Sequence, residues 1–174
     1  MNPSLEDAPA AAVAGYAEPQ ERPPFLPYLG FMSTFAALSA AALWIAKRQE
    51  RLPEKVSPGE LLLVGTASHK LARLLAKDKV TSPLRAPFTE LEGNGGPAEL
   101  EESSRGTGLR KAIGELLICP FCLGLWVVAA FSVGFLFAPR VTRFVASLFA
   151  ALTISDFFQI AYKAAEEKGL GQGA

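Results

Sequence analysis

The sequence is short of the residues from which metal centres and nucleic-acid surfaces are built. It has one histidine and two cysteines. A His-rich ligand cluster, a four-cysteine zinc site and a multi-disulfide framework are therefore excluded. It has no surplus of either charge, because 17 Lys plus Arg balance 17 Asp plus Glu. That argues against a nucleic-acid partner, whose phosphates require a basic excess. There is no glycine loop followed by Lys-Ser/Thr, no HExxH and no nucleophile elbow. The first 21 residues hold no Lys or Arg, so they do not read as a secretory signal peptide. Rich in Ala, Pro and Glu, they predict a disordered tail over residues 1–24.

What the sequence does have is apolar residues in blocks. Half of its 174 residues are hydrophobic, and the length suits one domain, here residues 25–168. The first block, Tyr28–Ala46, is uncharged and would measure roughly 28 Å as a helix, close to the hydrocarbon thickness of a bilayer. Tyr28 and Trp44 lie near its ends, Pro27 precedes it and the basic run Lys47–Arg51 closes it, as expected of a membrane span. Ser33, Ala37, Ala40 and Ala41 offer a small-residue face to another helix. The third block, Pro120–Ala138, is uncharged, and the fourth, Phe144–Tyr162, carries only Asp156. The short link between them predicts an antiparallel pair.

The second block is mixed. Ser57, Pro58 and Glu60 form a helix-start signature ahead of a leucine-rich run. His69, Arg73 and Lys77 then recur on one face, with Lys70 beside it. Three readings stay open: a tilted span with snorkelling ends, a helix packed inside the bundle, or an amphipathic helix at the surface. Charge asymmetry favours three spans and the leucine run favours four. Either way residues 77–112 and the C-terminus fall on the cytoplasmic side of a multi-pass protein of the cell membrane. Residues 79–112, with TSPLRAPF and GNGGPAELEESSRGTG, predict a mobile connector that starts as a turn or extended segment rather than a helix.

"GELLICPFCLGLW", Gly114–Trp126, holds both cysteines. Pro120 fits only the first turn of a helix, so a helix start or kink is expected at Cys119-Pro120. The N-terminal amides and helix dipole would then favour the Cys119 thiolate. Three readings compete. One is dithiol redox chemistry, with Cys119 attacking and Cys122 resolving. Another is metal binding, a possible zinc held by Cys119, Cys122, His69 and a carboxylate. The third is simple packing of two small side chains.

Asp156 is costly inside an apolar helix unless it is paired or wet. It is expected to pair with Lys70 or Arg73, with a proton relay as the alternative. Arg85, between Pro83 and Pro87, could grip a lipid phosphate or a carboxylate, or sit solvated at the interface.

The run SHKLARLLAKDKVTSPLRAPFTELEG, followed by GELLICPFCLGLW and then SDFFQ, resembles the bacterial membrane proteins grouped as domain of unknown function 1360. The matching positions are His69, Lys70, Arg73, Asp78, Arg85, Glu115, Cys119, Pro120, Cys122, Gly124, Trp126 and Asp156. The resemblance implies a small bacterial integral membrane protein, in a family where some members carry sporulation labels. It implies no reaction.

Taken together, the sequence predicts an all-α membrane protein of three to four hydrophobic helices, near 28–46, 58–77, 113–138 and 142–163. Its expected role is a non-enzymatic binding or scaffold module with a polar cluster of Lys70, Arg73, Asp78, Arg85, Glu115 and Asp156 beside His69 and the cysteines. That cluster would meet a protein partner, an anionic lipid or a metal. A membrane thiol oxidoreductase and a small proton-coupled permease using Asp156 are the alternatives.

Overall fold

A computed structural model describes residues 23–171 of the chain. The first 22 residues, on which most of the expected tail falls, lie outside the described residues. Four long helices form the body: α1 (Phe25–Arg48), α2 (Pro58–Lys77), α5 (Pro120–Phe137) and α6 (Pro139–Gly171). Between α2 and α5 lie a 3-10 turn (Lys79–Thr81), the one-turn helix α3 (Ser82–Arg85), strands β1 (Thr89–Asn94) and β2 (Leu100–Ser104), and helix α4 (Gly108–Ile118). The protein is an all-α membrane bundle with a minor sheet. By length and composition α1, α5 and α6 can each cross a bilayer.

Local chemistry sets the helix ends. Ser57 and Glu60 close a reciprocal capping box on α2, with Pro58 at the first position. Lys47 and Arg48 occupy the last turn of α1, where cations offset the dipole. The chain then breaks through Glu50 in the left-handed region, at φ 52, and Arg51 N–H returns to the Ala46 carbonyl.

Small residues on one helix receive large ones from another. Ala67, Ser68, Ala72 and Ala76 form the buried stripe of α2. Leu123, Val127 and Phe131, one helical turn apart on α5, pack into the same core with Ala146 of α6. Gly134 lets α5 and α6 meet at their turn, because a Cβ there would lie 2.6 Å from the Thr142 hydroxyl.

Cross-helix contacts set the direction of each helix. Glu60 pairs with Arg143 at 2.7 Å, Thr153 donates to the Thr66 carbonyl at 3.1 Å, and Lys70 pairs with Asp156 at 2.8 Å. The two chains advance together, so α2 and α6 run parallel. Phe35 of α1 meets Trp126 of α5 edge-on at 5.2 Å, and Arg51 just beyond α1 reaches the Phe137 carbonyl at the end of α5. So α1 and α5 also run parallel, opposite to α2 and α6. The body is up-down-up-down, and α2 runs from one end to the other beside α5 and α6. Much of the outer surface is exposed and apolar, including Leu29, Met32 and Leu43 of α1 and Phe144, Leu148 and Phe157 of α6. Water would penalise such a surface; lipid tails would not.

Three expectations change here. Residues 79–112 are not an unstructured connector but a folded head. The TSPLRAPF run contains helical turns, because Pro83 sits in the first turn of α3, where its missing N–H costs nothing. The helix start expected at Cys119-Pro120 is present and divides the stretch near 113–138 into α4 and α5, whereas the fourth helix, expected near 142–163, runs over Pro139–Gly171.

Candidate functional site

The head is organised around one side chain. Arg85 is fully buried, at 0% exposure, at the end of α3. Its Nε donates to Glu102 of β2, itself 5% exposed. Its terminal nitrogens donate to the Leu75 carbonyl at 2.9 Å, the Thr81 hydroxyl at 2.7 Å and the Asp78 carbonyl at 3.1 Å. Thr81 also donates to the Leu74 carbonyl at 2.6 Å. A helix end leaves its last carbonyls without intrahelical partners; here Arg85 and Thr81 satisfy them. The other oxygen of Glu102 and the Arg85 carbonyl each lie 3.0 Å from the Thr89 hydroxyl, whose single proton the two acceptors share. The guanidinium grips a carboxylate, and no lipid phosphate can reach it where it lies.

Strands β1 and β2 pair antiparallel with a bulge between Leu91 and Gly93. The turn is closed by Glu99 N–H to the Gly96 carbonyl and by Ala98 at φ 63. One side of the hairpin sits on α4 by way of Gly114, where an added Cβ would lie 2.4 Å from the Phe88 carbonyl. The hairpin's acids meet the basic face of α2. Arg73 makes a two-bond pair with Glu99, at 2.7 and 2.8 Å, and Lys77 pairs with Glu101 at 3.1 Å. The spacing fits: four residues of helix advance about 6 Å and two of extended chain about 7 Å.

The expected single polar cluster therefore divides. Lys70 (16% exposed) and Asp156 (43%) form one pair. Asp78 lies within electrostatic reach of that pair and of Arg73 and Glu99. Partial burial, reinforced by Glu99 and Asp156 and opposed by Lys70 and Arg73, holds its carboxyl above the ordinary value of 3.8. Arg85 belongs to a separate buried node. Glu115 is elsewhere, accepting from the Tyr28 hydroxyl of α1 and lying 3.9 Å from Lys111. His69 is exposed on α2. Among the described residues no three His, Cys, Asp or Glu side chains gather as a metal site, so His69 does not join the cysteines in the expected zinc arrangement.

Cys119 and Cys122 form a disulfide. Cys119 is the N-cap of α5, and its Sγ accepts the Cys122 N–H at 3.1 Å. Cys119 is half-buried and Cys122 is exposed. Trp126 lies one turn beyond Cys122 on the same face of α5, but Glu115 belongs to α4, on the far side of the break between Ile118 and Pro120.

The partners of Arg85, Arg73 and Lys77 escaped sequence reading because glutamate has low strand propensity and the hairpin is glycine-rich. The legible signal was Glu99 and Glu101, two apart, opposite Arg73 and Lys77, four apart.

The chain is 41% identical over 69 residues to a protein of Bacillus subtilis (strain 168) named "Sporulation protein YjcA", covering 38% of this chain and 58% of that one. It is 32% identical over 79 residues to "UPF0713 protein YngL" of the same organism, covering 43% and 56%. The chain thus spans somewhat over half the length of these curated relatives. No solved structure matches it. Residues 63–162, from the leucine run of α2 to the tyrosine of α6, match the family described as "Protein of unknown function (DUF1360)", and the chain belongs to that family.

Proposed function

We propose that this protein is a four-span docking module of the bacterial cell membrane, whose head engages a protein partner at the cytoplasmic face. The α1, α5 and α6 helices have the length and apolarity of spans. Because α2 runs beside α5 and α6 from end to end, it crosses whatever they cross. Its charges are not stranded: Lys70 is neutralised by Asp156, and Arg73 and Lys77 by the hairpin. Lys79, Arg105, Arg110 and Lys111 of the head, with Lys163 and Lys168 of α6, favour the cytoplasm for the head end.

The observation that carries the docking role is how the head spends its charges. Arg73, Lys77 and Arg85 are engaged by the chain's own glutamates, so none of these three is free to cradle an anionic lipid. The outer strand β1 leaves Glu90, Leu91 (66% exposed) and Glu92 exposed, Leu91 on the opposite face from the two acids and Glu92 accepting from Ser103 of β2, while β2 lies against α4. An open strand edge with an apolar centre and acidic flanks suits a protein segment that adds beside it. The named sporulation relative makes a developmental partner the natural first candidate.

The experiment is site-specific photocrosslinking of the full chain in native membranes, from Leu91 and, as comparator, from Val56 at the opposite end. A discrete adduct from Leu91, lost in Glu90→Lys/Glu92→Lys, is expected. No Leu91 adduct from a protein whose head resists protease would refute the reading. An impermeant thiol reagent applied to intact cells should label Lys55→Cys and spare Glu92→Cys, both in a Cys119→Ser/Cys122→Ser background.

A further inference from the structure

The Cys119–Cys122 disulfide lies outside the head's ion-pair network and contributes nothing to the open edge of β1. Its two halves differ. Cys122 is exposed, and beside it Phe121 and Leu125 are 93% and 56% exposed. Cys119 is half-buried and holds the N-cap of an 18-residue helix, with a backbone N–H already on its sulfur. An incoming thiolate therefore reaches Cys122 more readily. The sulfur it expels is the one whose negative charge the helix amides and dipole meet. A better-stabilised leaving thiolate speeds exchange. This reverses the order of roles that the motif spacing alone suggests.

We infer that the pair is a reversible thiol–disulfide exchange site for a pair of cysteines carried by a partner protein at the membrane boundary. Cys122 is the sulfur attacked and Cys119 the sulfur released. In the first step the partner's thiolate forms a bond to Cys122 Sγ and the Cys122–Cys119 bond breaks, leaving Cys119 as thiolate. In the second step another thiolate of the partner attacks its own sulfur in the mixed disulfide. The partner leaves with a disulfide, Cys122 leaves as thiolate, and two electrons have passed from the partner's dithiol to the pair. Run backwards, Cys119 attacks the mixed disulfide at Cys122 and restores the starting bond, so exchange needs no other oxidant. The exposed Phe121 and Leu125 assign the partner thiol to the lipid–water boundary, because they surround Cys122 with apolar rather than hydrated surface.

The test uses the full chain in lipid vesicles. The thiol probes are an acyl-anchored cysteine peptide and, for comparison, glutathione, with alkylation and mass mapping of the products. A mixed disulfide on Cys122 with alkylated Cys119, formed faster by the anchored thiol, is expected. In the Cys122→Ser variant, alkylation of Cys119 should titrate with a midpoint below the ~8.5 of a free thiol. Adducts on Cys119, a pair that never oxidises, one that no thiol buffer reduces, or a midpoint at or above that of a free thiol would overturn the assignment. Equal rates for the two thiols would overturn the boundary-bound partner. None of these outcomes bears on the Leu91 crosslink, so the two readings fail separately.

Discussion

Replacing Arg85 should do more damage than any other single change in the head. In Arg85→Ala the Glu102 carboxylate stays buried with only Thr89 as donor. The Leu75 and Asp78 carbonyls at the end of α2 lose their guanidinium donor. Removing one member of a buried ion pair costs about 3–5 kcal/mol, because the survivor is an uncompensated charge. A domain is stable by only about 5–15 kcal/mol, so the head should open. The double variant Arg85→Met/Glu102→Gln removes both charges and leaves a space-filling side chain. It should recover most of the loss, to within about 2 kcal/mol of the parent. Denaturant titration of purified protein in detergent measures the difference. Protease cleavage between residues 79 and 107 reports whether the head is where the loss occurs. If the single variant loses under about 1 kcal/mol, or the double loses as much as the single, then the charge pair is not what organises the head.

The hairpin's seat on α4 should be less sensitive but still intolerant: Gly114→Ala, whose Cβ would lie 2.4 Å from the Phe88 carbonyl, should cost about 1–3 kcal/mol. Gly124→Ala, with open space around it, should be near neutral in the same titration. In the Lys70–Asp156 pair, either Lys70→Met or Asp156→Asn should destabilise by about 1–3 kcal/mol, and the double variant by less than the sum, measured as a double-mutant cycle. Asp78 holds its proton above its unfolded value of 3.8, so the native state binds more protons there. Stability from this group falls as pH rises from 3.8 through its native value and is constant above. Asp78→Asn should therefore flatten the stability–pH curve over that window and be at least as stable as the parent at neutral pH; a variant that is less stable there refutes the sign.

Much of the body could be read from residues alone because its signals are local. Ser57-Pro58-Gly59-Glu60 announces the start of α2, and Pro120 can only open a helix, which puts Cys119 at a cap. The head could not be read so. A run such as TELEGN has few strand-forming residues, and glycine-rich acidic sequence ordinarily stays loose. Its order comes from partners distant in the chain: Glu99 and Glu101 held by Arg73 and Lys77, and Glu102 by Arg85. Asp156 announced that it needed a cation, but the choice of Lys70 over Arg73 depended on the parallel run of α2 beside α6 and on the hairpin having taken Arg73.

By itself the sequence determined that long apolar helices need lipid, where α2 runs and where α5 starts, since proline and capping act within a turn or two of chain; it did not give the full length of α6, which continues to Gly171. Tertiary structure alone decided that α2 travels the full length of the bundle, that the segment after it folds into a head, and that Cys122 rather than Cys119 faces outward. Charge pairing and exposure are properties of neighbours in space, and no stretch of chain holds both members of such a pair.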